Sequence, residues 1–291
     1  MGNSTQDRNR AVIANRQAWN DSAARHMAGE RWAQLVKEVS KPDFSTFDET
    51  MTDALRRIDL CGKSVAQVGC NNGREVLSLA SFGAERCLGI DQAEEFLAQA
   101  EELNRIAGQD CRFLHADIYD LPADVPRDFD LVLITIGVLN WMPDLAGFFQ
   151  AVAGLLRDGG QVLIYETHPF LEMFEPSAGN PHLLANSYFR TCPFVDTDPI
   201  VYDGANEGEV SPSYWFIHKI SDVLNGCIAA GLQVTRFDEF PHSNREVEYD
   251  CYEGQAAQLP MCYVLCAMCC GLAKGIRSGD RFLRKKTDEI Y

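Results

Sequence analysis

The residues best suited to chemistry lie in three short stretches, each closing an apolar run. The segment SVAQVGCNNG, residues 64–73, passes from an apolar strand into a turn bounded by Gly69 and Gly73, and then into a helix. Glycine is needed in such a turn because a ligand approaches the backbone closely and the dihedrals are ones a side chain forbids. Asp91 closes the next apolar run 22 residues after Gly69, where a carboxylate at the lip of a sheet accepts hydrogen bonds from a ribose diol. A third run ends in HADI, residues 115–118, and brings Asp117 to the same edge. Taken singly, glycines make turns and acids cap helices. Their recurrence at three successive strand ends points instead to a ribose-bearing cofactor bound across the carboxyl edge of a parallel sheet.

The elements that must hold these residues follow from apolar periodicity. Residues 1–62 read as polar and helical, with apolar spacing in ERWAQLVKEV and DETMTDALRRI. From Lys63 the pattern changes to strands over 64–68, 87–90, 111–114, 129–134 and 161–165, alternating with helices over 74–82, 93–107 and from Leu145 to Leu156. Strands separated by helices of this length imply a parallel sheet covered on both faces. After Glu166 the alternation stops for some fifty residues that hold six of the 12 prolines and nine of the aromatics. A connection that long inside a compact domain is usually a lid or a binding element. Regular structure resumes with a helix over 221–230 and strands near 232–237 and 261–268. The expected organisation is an N-terminal helical cap over 1–62, a main domain over 63–270 with a lid insert over 168–217, and a basic tail over 271–291.

The stretches VAQVGCNNGRE, LGIDQAEEF, HADIYDLP, FDLVLITIGVLNW and LLRDGGQVLIYE, in that order and spacing, resemble the class I S-adenosylmethionine-dependent methyltransferases. The resemblance spans about residues 60–166 and implies a Rossmann-like, seven-stranded, mostly parallel α/β sheet. It implies that Gly69, Cys70, Asn71 and Gly73 hold the methionine part of the cofactor. Asp91 would bind the ribose, Gln92 would lie beside the adenine, and Asp117 and Ile118 would flank its ring. Ile134 and Thr135 would lie near the sulfonium, and Trp19, Asn20 and His26 would sit on a helix packed over the cofactor. Two positions depart from the family pattern: Gln67 stands where an acid is usual, and Asn71 stands where the middle glycine is usual. Asn tolerates left-handed dihedrals, so the turn can survive, whereas losing the carboxylate removes a charge from the cofactor's surroundings. A nicotinamide-binding Rossmann domain is disfavoured, because Asn71 and Arg74 occupy positions where its fingerprint needs glycine.

Methyl transfer from a sulfonium is an in-line displacement that positioning and exclusion of water can largely catalyse. Where the acceptor needs a base, His168 is the candidate, with Glu166 orienting it, and Tyr214 and His218 stand behind them. His168 packing or capping a turn before Pro169 is an equal alternative. The insert pairs its nine aromatics with seven acids against the single base Arg190, which suits an aromatic or cationic small-molecule acceptor. On that reading, neutralising Asp196, Asp198 and Asp203 weakens a cationic acceptor; alternatively these acids form a solvated rim. A thiol or metalloid acceptor at Cys192, Cys251 or Cys262 has no spacing signature.

Charge and cysteine content narrow the classes further. The 291 residues carry 26 Lys+Arg against 42 Asp+Glu, a formal charge of −16, which disfavours a nucleic-acid partner. The bases cluster instead in the tail from Lys274, which leaves a nucleic-acid methyltransferase as the weakest alternative. A protein that binds the cofactor without transferring methyl is another, motivated by Gln67. The 11 scattered cysteines, without an apolar leader or a spanning run, read as reduced thiols of a cytoplasmic chain with no membrane partner. Cys266, Cys269 and Cys270 lack the second ligand pair of a zinc site, so no metal is expected.

Overall fold

Apolar strands that alternate with helices bury both of their faces only inside a covered parallel sheet, and the chain adopts that arrangement. The computed structural model describes residues 5–201, 208–244 and 246–270. Three helices come first, α1 (Thr5–Ala28), α2 (Glu30–Glu38) and α3 (Glu49–Ile58). Then follow β1 (Ser64–Val68), α4 (Arg74–Ser81), β2 (Arg86–Asp91), α5 (Glu94–Ala107), β3 (Arg112–His115), β4 (Phe129–Ile134), α6 (Leu145–Leu155) and β5 (Leu156–Thr167). The insert contains β6 (Phe194–Asp196) and β7 (Ser213–Trp215), and α7 (Ile220–Ala229), β8 (Leu232–Phe240) and β9 (Cys262–Cys269) complete the described chain. The seven-stranded sheet has the order β3-β2-β1-β4-β5-β9-β8, in which only β9 runs antiparallel to its neighbours.

Alternation along each strand sorts the core into two layers. Ala66, Val68, Val132, Ile134 and Ile164 pack with α6 and α7. Val65, Leu131, Leu133 and Leu163 pack with α3, α4 and α5 on the other side. Gln67 shares a face with Val65, so a polar residue inside β1 is turned toward the α4 layer. Asp48 and Asp144 cap α3 and α6 by accepting the Met51 and Gly147 N–H groups.

Two elements differ from the sequence reading. Strand β5 begins at Leu156 rather than near residue 161, because the LLRDGG segment continues the ladder: Leu156 pairs with Phe129 before a bulge brings Gln161 opposite Leu131. The insert is not devoid of regular structure, since β6 and β7 pair antiparallel over residues 194–196 and 213–215. The basic tail from Lys274, with Asp203 and Tyr202, lies outside the described residues.

The insert is stitched to α1 by side chains. Asn15, fully buried, accepts the Tyr214 N–H at 2.6 Å and donates to the Tyr214 carbonyl at 3.0 Å, so one amide serves β7 as a neighbouring strand would. Ser22 accepts the Ile200 N–H at 3.0 Å, and Asp21 accepts that of Ser211 at 3.0 Å. A buried polar group stripped of its partner costs about 1–3 kcal/mol. Asn15→Ala is therefore expected to lower the unfolding free energy by about 2 kcal/mol in urea titration and to expose the β6–β7 region to limited proteolysis.

Candidate functional site

In an open sheet, ligands bind beyond the carboxyl ends of the strands where the strand order reverses. Here β1 lies between β2 and β4, and the turns that follow these three strands surround two cavities sharing Gly69, Asn71 and Ile136. The first is a narrow slot bounded by Asp91, Gln92, Asp117 and Ile118, with Trp19 of α1 and Trp141 as further walls. The second, of about 490 Å³, runs from the β1 turn past Gln67, Glu75 and Thr135 to Trp32, Leu35 and Glu246.

The β1 turn owes its shape to left-handed residues. Gly69, Asn71 and Gly73 have φ of 68°, 51° and 72°, so Asn occupies the conformation that the sequence reading required of it. The Asn71 N–H donates to Asp91 at 2.7 Å, and the other Asp91 oxygen accepts the Ala93 N–H at 2.9 Å. Burial raises the Asp91 pKa, and these donors oppose the rise. The carboxylate thereby locks the β1 turn to the end of β2. Asp117 similarly accepts the Tyr119 N–H at 2.9 Å and sets the wall that carries the buried Ile118.

Of the residues singled out from sequence, Gly69, Asn71, Asp91, Gln92, Asp117, Ile118 and Trp19 line the slot, and Cys70, Thr135 and His26 line the second cavity. Three others stand elsewhere. Gly73 lines neither cavity; a Cβ there would meet Phe113 at 2.6 Å and Ala100 at 2.8 Å, so this glycine serves packing under α5 rather than ligand approach. Ile134 is fully buried against the α6 layer, because strand alternation turns it away from the cavity that Ile136 reaches. Asn20 accepts the Glu95 N–H at 3.2 Å, outside both cavities.

The proposed base pair does not form. His168 Nδ1 accepts the Phe170 N–H at 3.1 Å, which leaves Nε2 as the protonated nitrogen, 2.9 Å from Glu239. Both nitrogens are thus engaged, His168 is buried, and it lines neither cavity. Glu166 does not orient it. Its two oxygens accept the Gly137 N–H at 2.6 Å and the Leu139 N–H at 3.0 Å, pinning the loop after β4 that carries Ile136 and Val138. His218 is likewise occupied by the Met142 carbonyl, at 2.8 Å. The insert's charges separate as well: Asp196 and Asp198 are exposed, whereas Glu172 is buried and accepts the Trp215 indole N–H at 3.0 Å. Cys266 and Cys269 project from opposite faces of β9, and among the described residues no three His, Cys, Asp or Glu side chains come together as metal ligands.

Sequence reasoning missed Glu75, Trp32, Leu35 and Glu246 as cavity residues. The first lies on α4, eight positions beyond the departure at Gln67, and no spacing rule marks it. The others lie on α2 and after β8, outside the residues that carry the resemblance.

Residues 66–164 match the family described as Methyltransferase domain. The chain is 36% identical over 107 residues to a ubiquinone biosynthesis O-methyltransferase of Neisseria meningitidis, a match covering 36% of this chain and 44% of that one. It is 32% identical over 110 residues to a tRNA U34 carboxymethyltransferase of Idiomarina loihiensis, covering 36% and 33%. The chain thus matches less than half the length of these relatives. Its fold is similar to that of an S-adenosylmethionine-dependent methyltransferase from Clostridium acetobutylicum, with a TM-score of 0.56, 16% identity, and coverage of 83% of this chain and 99% of that one. A second similar fold is an S-adenosylmethionine-dependent methyltransferase from Mesorhizobium loti, with a TM-score of 0.50, 22% identity, and coverage of 74% and 96%. Residues 66–164 are thus similar to a methyltransferase domain, and the sheet that holds them shares its fold with these solved methyltransferases.

Burial pushes the Glu166 carboxyl from the ordinary carboxylate range to about 8, against the pull of its two N–H donors. The unfolded chain, whose glutamates titrate normally, releases this proton at lower pH, so this group's contribution to stability falls as pH rises between about 5 and 8 and levels off above. Glu166→Gln is expected to flatten that fall, as read from denaturant midpoints at pH 5.5 and 8.5.

Proposed function

We propose that this protein binds S-adenosylmethionine across the two cavities and transfers its methyl group to a small molecule held in the second. The observation that carries this reading is that the two cavities share Gly69, Asn71 and Ile136, with the Asp91 carboxylate in one and a larger space lined by Trp32 and Leu35 in the other. The residues present fit the cofactor. Asp91 faces the slot from the end of β2, Ile118 offers an apolar wall for a base, and the left-handed β1 turn brings backbone close to the methionine end.

The bound cofactor supplies an electrophilic methyl group, and the chain's own residues supply position and dryness. Ile136 stands at the junction of the cavities, where methyl donor and acceptor would meet, with Thr135 beside it in the second. Trp19, T-shaped on Trp141 at 5.4 Å, closes the slot against water. Trp32 and Leu35 give the far end an apolar wall, and Glu246 adds a carboxylate, a combination suited to an aromatic or amine-bearing acceptor. With both His168 nitrogens engaged, the acceptor reacts through a lone pair already available at neutral pH or loses its proton to solvent. The ubiquinone relative supports a small acceptor, and a pocket roofed by α1 and α2 suits one better than a flat nucleic-acid surface.

Labelled cofactor offered with a panel of amines, phenols and thiols is expected to yield a methylated product. Asp91→Ala should weaken cofactor affinity by about tenfold or more, the worth of a charged hydrogen bond. Binding without any product would favour a cofactor sensor, and salt-sensitive RNA binding would favour a nucleic-acid acceptor. The double variant Asp196→Asn/Asp198→Asn should leave both cofactor affinity and acceptor KM unchanged, because these exposed acids stand on the solvent side of the insert.

A further inference from the structure

A groove of about 470 Å³ runs between α1 and α5 and shares no lining residue with the slot or the second cavity. Asp21 on α1 and Glu94, Glu95 and Glu102 on α5 line it, and among the described residues that line it none is basic. Two of these acids are already engaged. Asp21 accepts the Gln17 amide at 2.8 Å and the Ser211 N–H at 3.0 Å, and Glu94 stands 3.4 Å from His115. Glu95 and Glu102 make no ion pair among the described residues. Ala98, between them on α5, and Ala24 and Met27 on α1 give the groove apolar walls. Gln99 adds an observation independent of charge. Its side chain lines the groove and is 2% exposed; Nε2 donates to the Ala23 carbonyl at 2.9 Å, and Oε1 has no partner. The Ala23 carbonyl fixes which way the amide faces, and an orphaned buried acceptor costs free energy unless something donates to it.

We propose that this groove binds a linear aliphatic polyamine, with Glu95 and Glu102 each receiving an ammonium group and Gln99 Oε1 accepting an N–H between them. Glu95 and Glu102 stand two helical turns apart on one face of α5, about 10 Å along its axis. A single ammonium group or a bare metal ion serves one of them; two ammonium groups joined by a short alkyl chain serve both. The methylenes of that chain lie against Ala24, Met27 and Ala98, apolar surface that a hydrated metal ion would leave in water. The groove's volume is that of a small-molecule site. Bound there, the polyamine bridges α1 and α5 without entering the slot or the second cavity, so the site stands whether or not the methyl-transfer reading does.

The test is calorimetric titration of the full chain with spermidine at about 0.15 M salt, with butylamine and magnesium chloride as probes of a single ammonium group and of charge alone. Spermidine should bind once per chain, about tenfold or more tightly than either. Glu95→Gln/Glu102→Gln should weaken spermidine about tenfold or more, because both ammonium contacts lose their charge. Asp196→Asn/Asp198→Asn, which removes as many charges from the insert, should leave it within about twofold. Gln99→Met, which keeps the volume and removes the orphaned oxygen, should weaken it about threefold or more. The Glu95/Glu102 variant alters no buried side chain and decides the matter should Gln99→Met fail to fold. Absence of spermidine binding overturns the proposal, and so does equal affinity for magnesium. An equal loss in the two double variants, or full affinity in a folded Gln99→Met, overturns it as well.

Discussion

Parallel pairing of β1 with β2 on one side and β4 on the other is the constraint on which the rest of the molecule depends. It sends three successive strand ends to one edge and makes the chain leave that edge in different directions. The opening between the departing turns is a consequence of connectivity, and the side chains then specialise it. Asp91 shows how closely the two requirements are joined. The same carboxylate that faces the slot accepts the Asn71 and Ala93 N–H groups and so holds the β1 turn open in its left-handed form. Replacing this carboxylate therefore loosens the turn beside it.

A second theme is the number of carboxylates kept out of water around the cavities. Glu166 ties β5 to the loop after β4, Glu172 ties the insert to Trp215, and Glu75 accepts the Gln67 amide behind the β1 turn. Burial raises the pKa of Glu166 to about 8 and that of Glu172 to about 7. Uncompensated carboxylates destabilise a fold, and backbone or indole N–H donors to Glu166 and Glu172 offset part of that cost. Of the three, only Glu75 lines a cavity.

The roof over the site is built from segments far apart in sequence. Three indoles run from α1 through the loop after β4 into the insert, with Trp19 5.4 Å from Trp141 and Trp141 4.8 Å from Trp215. Asn15 and Ser22 add backbone bonds between α1 and the insert. The roof thus behaves as one piece, and the aromatics of the insert serve this internal packing as well as any acceptor.

The strands of the sheet, their order of appearance and the placing of Asp91 at the sheet's edge were legible in the sequence, because burial on both faces forces continuous apolar runs and a tight turn forces glycine or asparagine. These are local demands, written where they act. The partners of the polar groups were not legible. His168 and Glu166 sit two residues apart and invite pairing, yet β5 alternation and the chain's path send one to Glu239 and the other to Gly137 and Leu139. Gln67 looks like the loss of a charge until α4 folds back over β1 and places Glu75 at 2.6 Å. Local sequence specifies what each residue can do and which face of its element it occupies. Only tertiary packing decides which hydrogen-bonding groups meet, since a buried donor or acceptor is committed to whatever the neighbouring element brings within about 3 Å.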